Sequence, residues 1–177
     1  MLLHDHVDRW AAQRPHGEFA MQGDRRTTWA HAARASGRAA RLLRMAGLGP
    51  GDRCAVLAHN AIEYVLLYLA ASRAGVVLVP LNPRGTPADW DQIVADAHAR
   101  LLICGPGFDG VPLPDLPVVS LHELCAPGRA AAPDHPGTTE LLRLYTGGTT
   151  GRPKGASLSQ RAVTSAMTQI ADGPHGG

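Results

Sequence analysis

The hydrophobic pattern along the chain alternates between two periods. Short runs of aliphatic residues, typical of buried strands, are followed by longer segments in which apolar residues recur every three or four positions. The predicted strands are residues 18–21, 26–28, 53–58, 76–80, 101–104, 118–119, 141–145 and 155–158. The predicted helices are residues 2–13, 29–43, 60–74, 87–98, a short turn ending at 125, and 159–170. This order favours an α/β fold with a mostly parallel sheet covered by helices.

Polar, proline and glycine residues mark the ends of these elements. Thr86 before Pro87 predicts a helix start, and Asn60 with Glu63 three positions later predicts a capping box. Residues 105–117 are rich in glycine and proline and are predicted to form a surface loop. We therefore expect an α/β subdomain over residues 1–125, a flexible linker over 126–140 and a strand–loop–strand–helix unit over 141–177.

Composition and charge narrow the classes of function. The chain has 177 residues, 45% of them apolar, and its net charge of +2 offers little attraction for nucleic acid or anionic lipid. The amino terminus has no signal-peptide pattern, and the longest apolar stretch is far shorter than the ~20 residues of a membrane helix. Cys54, Cys104 and Cys125 lack C-x-x-C spacing and are predicted to be buried free thiols. Together these features predict a cytoplasmic protein without an integral membrane segment.

One loop carries the candidate chemistry. Residues 145–155 read Y-T-G-G-T-T-G-R-P-K-G, and Lys154 is the only lysine in the chain. Closely spaced glycines allow consecutive backbone amides to turn toward one anion, which favours a polyphosphate ligand. The candidate ligand groups are the amides of Gly147, Gly148 and Gly151, the hydroxyls of Thr146, Thr149 and Thr150, and the ammonium group of Lys154. The order of residues differs from a Walker A loop, in which the lysine follows a glycine directly.

The motif Y-T-x-G-T-T-G-x-P-K-G resembles the signature loop of the AMP-forming adenylate synthetases. Residues 51–60, 73–84 and 99–103 resemble the landmarks that precede this loop in the acyl-CoA synthetase branch. Two positions depart from the pattern: Gly147 stands where the family usually has serine, and Gln160 follows Ser159 where histidine is common. The first departure removes one hydroxyl but leaves the backbone amides in place.

This resemblance implies the fold, substrates and reaction of the parent enzymes. It implies the N-terminal part of the large domain of an adenylate-forming enzyme, with ATP and Mg²⁺, a carboxylic acid of the fatty class, and CoA as co-substrate. The acid would be activated as acyl-AMP and transferred to CoA. Complete members are more than twice as long, and we expect the remainder of the large domain and the C-terminal domain with its catalytic lysine to be missing here. The 177 residues alone are therefore expected to be inactive, and no catalytic residue is assigned.

Two alternative functions remain open. The chain would serve either as a truncated, non-catalytic phosphate- or nucleotide-binding protein, or as an interaction protein that self-associates through exposed apolar surface.

Several other motifs favour no chemistry. Gly105, Gly107 and Gly110 match G-x-G-x-x-G, but the prolines that follow prevent the required helix. His4, His6 and their acidic neighbours alternate around a helix predicted to be frayed, which argues against a metal site. The remaining candidates are predicted to be solvated: the histidines His31, His59, His98, His122 and His135, and the arginine stripe of Arg34, Arg38, Arg41 and Arg44.

Overall fold

The computed structural model describes residues 2–126, 140–146 and 154–171, with side chains up to residue 166. The helices are α1 (Leu3–Gln13), α2 (Trp29–Met45), α3 (Ile62–Ala74), α4 (Pro87–Ala97), α5 (Leu121–Cys125) and α6 (Gln160–Ala171). The strands are β1 (Glu18–Gln22), β2 (Arg25–Thr28), β3 (Arg53–Leu57), β4 (Val77–Pro80), β5 (Leu101–Cys104), β6 (Val118–Ser120), β7 (Glu140–Thr146) and β8 (Lys154–Ser159). Most boundaries lie within two residues of those predicted from the sequence.

Six strands form one sheet in the order β6-β5-β3-β4-β7-β8. The strands from β6 to β7 run parallel, and β8 returns antiparallel to β7 at the edge. The strands β1 and β2 form a separate antiparallel pair. The predicted α/β fold with a mostly parallel sheet is confirmed.

The sheet is buried on both faces, which explains why its strands are apolar at successive positions. On β3, Cys54 and Val56 pack in the core cluster that contains α1, α2, α3 and α5. The alternate residues Ala55 and Leu57 pack in the opposite cluster, where α4 contributes Trp90. Helices on both faces therefore cover β3, as the sequence pattern predicts.

The helix α2 packs through a face of small residues. The helix α2 lies in close contact with α3, which is possible because few side-chain atoms separate the two helices. The buried residues of α2 are Ala32, Ala35, Ser36, Gly37, Ala39, Ala40 and Leu43.

A buried chain of polar contacts connects three helices. The Nδ1 atom of His4 in α1 lies 2.8 Å from the hydroxyl oxygen of Ser72 in α3. That hydroxyl donates a 2.7 Å hydrogen bond to the side-chain oxygen of Gln160 in α6. Because His4 is only 1% exposed, the prediction that this terminus is frayed is wrong. Gln160, which departs from the family pattern, is a structural residue here.

The start of α3 differs from its prediction. The N-cap is Ala61, whose side chain makes no capping contact, so the expected capping box of Asn60 and Glu63 is wrong. The side-chain oxygen of Gln22, on β1, instead accepts a 3.2 Å hydrogen bond from the amide of Ile62. Glu63 forms an ion pair with Arg25 of β2. Residue spacing around Glu63 could not predict this contact, because Arg25 is distant in the sequence.

The arginine stripe on α2 is only partly solvated. Arg38 donates to the carbonyl oxygens of Glu123 at 3.0 Å and Ala126 at 2.9 Å, and thereby holds the end of α5. Arg44 donates to the carbonyl of Arg73 at 3.3 Å. The prediction of a solvated face therefore holds only for the remaining arginines, Arg34 and Arg41.

The other surface and cysteine predictions mostly hold. His59, His98 and His122 are exposed, whereas His31 is half-buried, and His135 lies outside the described residues. All three cysteines are free, with Cys54 and Cys125 buried and Cys104 half-buried.

The glycine-rich segment after β5 is a surface loop as predicted. A Cβ atom at Gly105 would lie 2.8 Å from that of Ala58, so the glycine is required there for close packing. Most of the expected linker, residues 127–139, lies outside the described residues. Among the helices that the structure describes, none has the length and apolar character needed to cross a membrane.

The ion pair of Glu63 and Arg25 predicts acid sensitivity. Burial is the largest single influence on Glu63 and opposes its ionisation. The hydrogen bonds and charges around the carboxylate, with the hydrogen bond from Arg25 first among them, together outweigh burial, so the pKa of the carboxyl lies below its ordinary value of 4.5. Because the folded pKa is the lower one, the stabilisation is present above about pH 4.5 and is lost as the pH falls through the folded pKa. We expect Glu63→Gln to lower the free energy of unfolding by about 1 kcal/mol at pH 7 and by much less at pH 3.

Urea unfolding at the two pH values measures this difference. The matched control is Glu18→Gln, since Glu18 pairs with Arg26 but its side chain is 50% exposed. A loss for Glu63→Gln that is equal at pH 3 and pH 7 would contradict the assignment.

Candidate functional site

The strands β7 and β8 form the hairpin that carries the predicted phosphate loop. Thr146 is the cross-strand partner of Lys154, and Tyr145 is the partner of Gly155. The structure thus brings together the first and last of the predicted site residues. The others, Gly147, Gly148, Thr149, Thr150 and Gly151, lie outside the described residues.

The hairpin lies at the edge of the sheet where ligands bind in open α/β folds. Because β3, β4, β5 and β7 are parallel, their carboxyl ends meet at the same edge. Thr146 ends β7 there, and Lys154 begins the antiparallel strand β8 at the same edge. Ligands of such sheets bind outside the carboxyl ends of the strands. The location therefore suits the predicted ligand.

The cations Arg143 and Lys154, on the two described strands of the hairpin, have different environments. Arg143 is held by Glu140, with 2.9 Å between Nε and a carboxylate oxygen. Burial disfavours the charge of Glu140, but its hydrogen bonds, that from Arg143 foremost, keep the pKa below its ordinary value. Lys154 is exposed and forms no ion pair with the part of the chain that the structure describes. Its charge is therefore available to a ligand.

The hydroxyl of Tyr145 connects the loop end of the hairpin to α4. It donates a 2.5 Å hydrogen bond to the carboxylate of Asp96. Burial, followed by this hydrogen bond, raises the pKa of Tyr145 to about 12. The tyrosine ring lies over Gly155, where an added Cβ atom would be only 2.8 Å from the ring carbon Cζ.

Sequence reasoning missed Tyr145 and Asp96 as parts of this site. The motif begins with Tyr145 and ends with Gly155. If its two ends form an antiparallel hairpin, these residues face each other across the strands, and this symmetry was the available signal for Tyr145. Asp96 belongs to a helix far away in the sequence, and no local pattern connects it with Tyr145.

A polar crevice of about 430 Å³ lies at the same edge of the sheet, beyond β3 and β4. The chain leaves β3 toward α3 and leaves β4 toward α4, and these helices pack on opposite faces. Such a divergence creates a cleft between adjacent strands. The polar residues lining it are His59, Asn60, Tyr64, Tyr68, Asn82 and Arg84.

A second cavity, of about 720 Å³, has almost entirely apolar walls. It lies between α1, α3, α6 and the strand β1. At its wall Trp10 stacks on Trp29 with 5.8 Å between ring centroids. The exposed fraction is 36% for Trp10 and 42% for Val65. This apolar groove is the kind of surface that the alternative of self-association requires.

Comparison with known proteins identifies the family. The sequence profile of the AMP-binding enzymes, described as "AMP-binding enzyme", matches residues 7–176. The fatty acid–[acyl-carrier-protein] ligase ScoC of Streptomyces coeruleorubidus is 37% identical over 150 residues, which are 78% of this chain and 29% of that protein. A feruloyl-CoA synthase of an Amycolatopsis species is 36% identical over 162 residues, covering 88% of this chain and 33% of the relative.

Solved structures give the same fold. The structure of VinN superposes on this chain with a TM-score of 0.83 at 26% identity. The match covers 97% of this chain and 49% of the VinN chain. The N-terminal domain of FACL13 from Mycobacterium tuberculosis superposes with a TM-score of 0.82 at 27% identity. The match covers 96% of this chain and 47% of the FACL13 chain.

The family match extends over the hairpin and nearly all of the described fold. The chain spans about a third of the length of the curated relatives it matches. The resemblance inferred from the signature loop is thereby confirmed, and the chain belongs to the family of AMP-binding enzymes, in the branch related to acyl-CoA synthetases.

Proposed function

We propose that this chain is the N-terminal portion of an ATP-dependent acyl-CoA synthetase. The observation that carries the proposal is the cross-strand pairing of Thr146 with the exposed Lys154 at the carboxyl edge of the sheet. A hydroxyl donor and an exposed cation are placed together where this class of sheet binds its ligands. Polyphosphate is the ligand that this combination favours.

The proposed role of the hairpin is to hold the phosphates of ATP while the acid is adenylated. The carboxylate of the acid would attack the α-phosphorus, and acyl-AMP and pyrophosphate would form. The ammonium group of Lys154 and the hydroxyl of Thr146 would contact the departing pyrophosphate, where negative charge accumulates. Fixed donors at that position stabilise the transition state more than the ground state.

The remaining ligand groups of the proposal are Gly147, Gly148, Thr149, Thr150 and Gly151. Mg²⁺ would enter with the nucleotide and reduce the charge of its phosphates. The described residues fit a polyphosphate because Lys154 is exposed. A lysine whose charge was neutralised by a neighbouring carboxylate would offer a polyphosphate no net electrostatic attraction.

The relatives suggest the substrate classes. Those named above act, by name, on a fatty acid and on ferulic acid, and another is a long-chain-fatty-acid–CoA ligase of Mycobacterium tuberculosis, 31% identical over 84% of this chain and 32% of its own length. Their acceptors include both CoA and an acyl carrier protein. We propose a fatty acid and CoA as the substrates here, in the cytoplasm.

The proposal includes the division of the chain. Residues 1–125 would form the α/β subdomain, 126–140 a linker, and 141–177 the unit that carries the hairpin. The adenine contacts and the catalytic lysine would be supplied by chain that these residues do not include.

One alternative function has an observation of its own. Because the described hairpin and crevice are both formed within these residues, the chain alone would bind nucleotide or phosphate without catalysis.

A different alternative is self-association through the apolar groove. It would give a dimer or larger species in light scattering, and a monomer at high concentration would rule it out.

Replacement of the single lysine tests the proposed ligand contact. We expect Lys154→Ala to weaken binding of inorganic tripolyphosphate and of ATP by about tenfold or more, because a charge-assisted contact is lost. Isothermal calorimetry measures both affinities. The matched control is Arg161→Ala, which removes an exposed cation of α6 and should change the affinity little. Equal losses in both variants would mean that only net charge matters.

The inactivity of the isolated chain is a separate prediction. We expect the 177-residue protein to show no fatty-acid-dependent exchange between ATP and labelled pyrophosphate, since a phosphate contact without adenine and ribose contacts does not orient the α-phosphorus. Acid-dependent exchange above the rate of the Lys154→Ala variant would overturn this part of the proposal. Absence of any tripolyphosphate binding would remove the alternative of a phosphate-binding protein.

A further inference from the structure

The outer strand of the hairpin that carries Lys154 lies at the edge of the sheet. Among the strands that the structure describes, β8 has β7 as its only neighbour. Side chains of β8 are exposed at residues 154–157. An edge hairpin of this kind opens readily unless another element holds it.

Tyr145 provides a contact between the loop end of this hairpin and α4. Its hydroxyl reaches Asp96 at 2.5 Å, close to the carboxyl end of α4. Its ring packs against the apolar cluster on the α4 face of the sheet. The anchored residue directly precedes Thr146, the cross-strand partner of Lys154.

Gly155 makes this arrangement possible from the opposite strand. An added Cβ atom there would lie 2.8 Å from Cζ and 3.0 Å from the hydroxyl of Tyr145, and 3.1 Å from Cγ of Arg143. These distances are shorter than ordinary contacts, so any larger residue would displace the ring. The ring therefore covers the backbone of the residue that follows Lys154.

We propose that Tyr145, hydrogen-bonded to Asp96 and seated on Gly155, is a positioning residue that fixes the Thr146–Lys154 pair and thereby sets the polyphosphate affinity of the hairpin. The part concerning affinity rests on the proposed function. The part concerning the hairpin stands on the contacts of Tyr145 alone.

The physical reason is the cost of ordering a flexible group on binding. Lysine has a long, mobile side chain, and an exposed strand end adds backbone freedom to it. If the backbone beside Lys154 is already fixed, the ligand does not have to order it, and binding is tighter.

Variants of the two hydrogen-bonding residues separate this role from general stabilisation. Tyr145→Phe keeps the ring on Gly155 and removes the hydroxyl, whereas Asp96→Ala removes the acceptor. Asp96→Asn keeps an acceptor oxygen and serves as the conservative rescue. The matched control is Asp91→Asn, because Asp91 is an exposed residue of the same helix and its carboxylate forms no hydrogen bond or ion pair with the described residues.

Hydrogen exchange of backbone amides in the intact 177-residue chain is the first measurement. We expect Tyr145→Phe and Asp96→Ala each to accelerate exchange in β7 and β8 by about threefold to tenfold, with β3 and β4 unchanged. The double variant should exchange no faster than either single variant, since both remove one hydrogen bond. Asp96→Asn should restore at least part of the protection, and Asp91→Asn should behave as wild type.

Calorimetric titration with inorganic tripolyphosphate is the second measurement. We expect the affinity to fall by a similar factor in Tyr145→Phe and Asp96→Ala, and to recover partly in Asp96→Asn. Unchanged hairpin exchange in the first two variants would overturn the positioning role. Faster exchange with unchanged affinity would overturn the coupling to the ligand. A wild-type chain that binds no tripolyphosphate would refute the affinity part together with the phosphate-binding proposal, while the exchange result would still decide the hairpin part.

Discussion

The parallel pairing of β7 with β4 determines where the candidate site lies. The two strands are distant in the sequence, yet Leu142 of β7 is registered with Leu78 of β4. This pairing makes β7 end at the same edge as the other parallel strands and so delivers Thr146 there. The return strand β8 then brings Lys154 back to that edge, opposite Thr146. Loss of the β4–β7 contact would leave the hairpin without a defined position relative to the crevice.

The layers that cover the sheet depend on a few buried polar contacts as well as on apolar packing. In α3, Ser72 and Arg73 are both buried, and each makes hydrogen bonds with another helix. A buried polar group is costly unless it is paired, so these contacts favour one arrangement of α1, α2 and α6 around α3. Through Gln160, the same network holds the helix that follows β8 against the core.

The sequence predicted elements well where periodicity and local chemistry agree. The helix α4 is an example, because Thr86 caps it and Asp89 completes a capping box within four residues. The start of α3 was predicted wrongly because its cap comes from Gln22, which is distant in the chain. For the candidate site, motif order led to the prediction of Thr146 and Lys154, which the hairpin places opposite each other. The contact of Tyr145 with Asp96 depends on how β7 lies against α4, which local sequence patterns do not encode.

The distribution of cations in the fold supports the special role of the single lysine. Several arginines donate from buried or half-buried guanidinium groups to fixed protein acceptors: Arg38 to carbonyls at the end of α5, Arg53 to the carbonyl of Ala97, and Arg73 to Ser36 and Asp8. A planar guanidinium suits such multiple, directed contacts, whereas an ammonium group is a compact charge that adapts to a mobile anion. Arginine at position 154 would keep the charge but would offer a broader, more rigid donor. The placement of lysine there, exposed beside Thr146, is therefore consistent with a ligand contact rather than with a structural one.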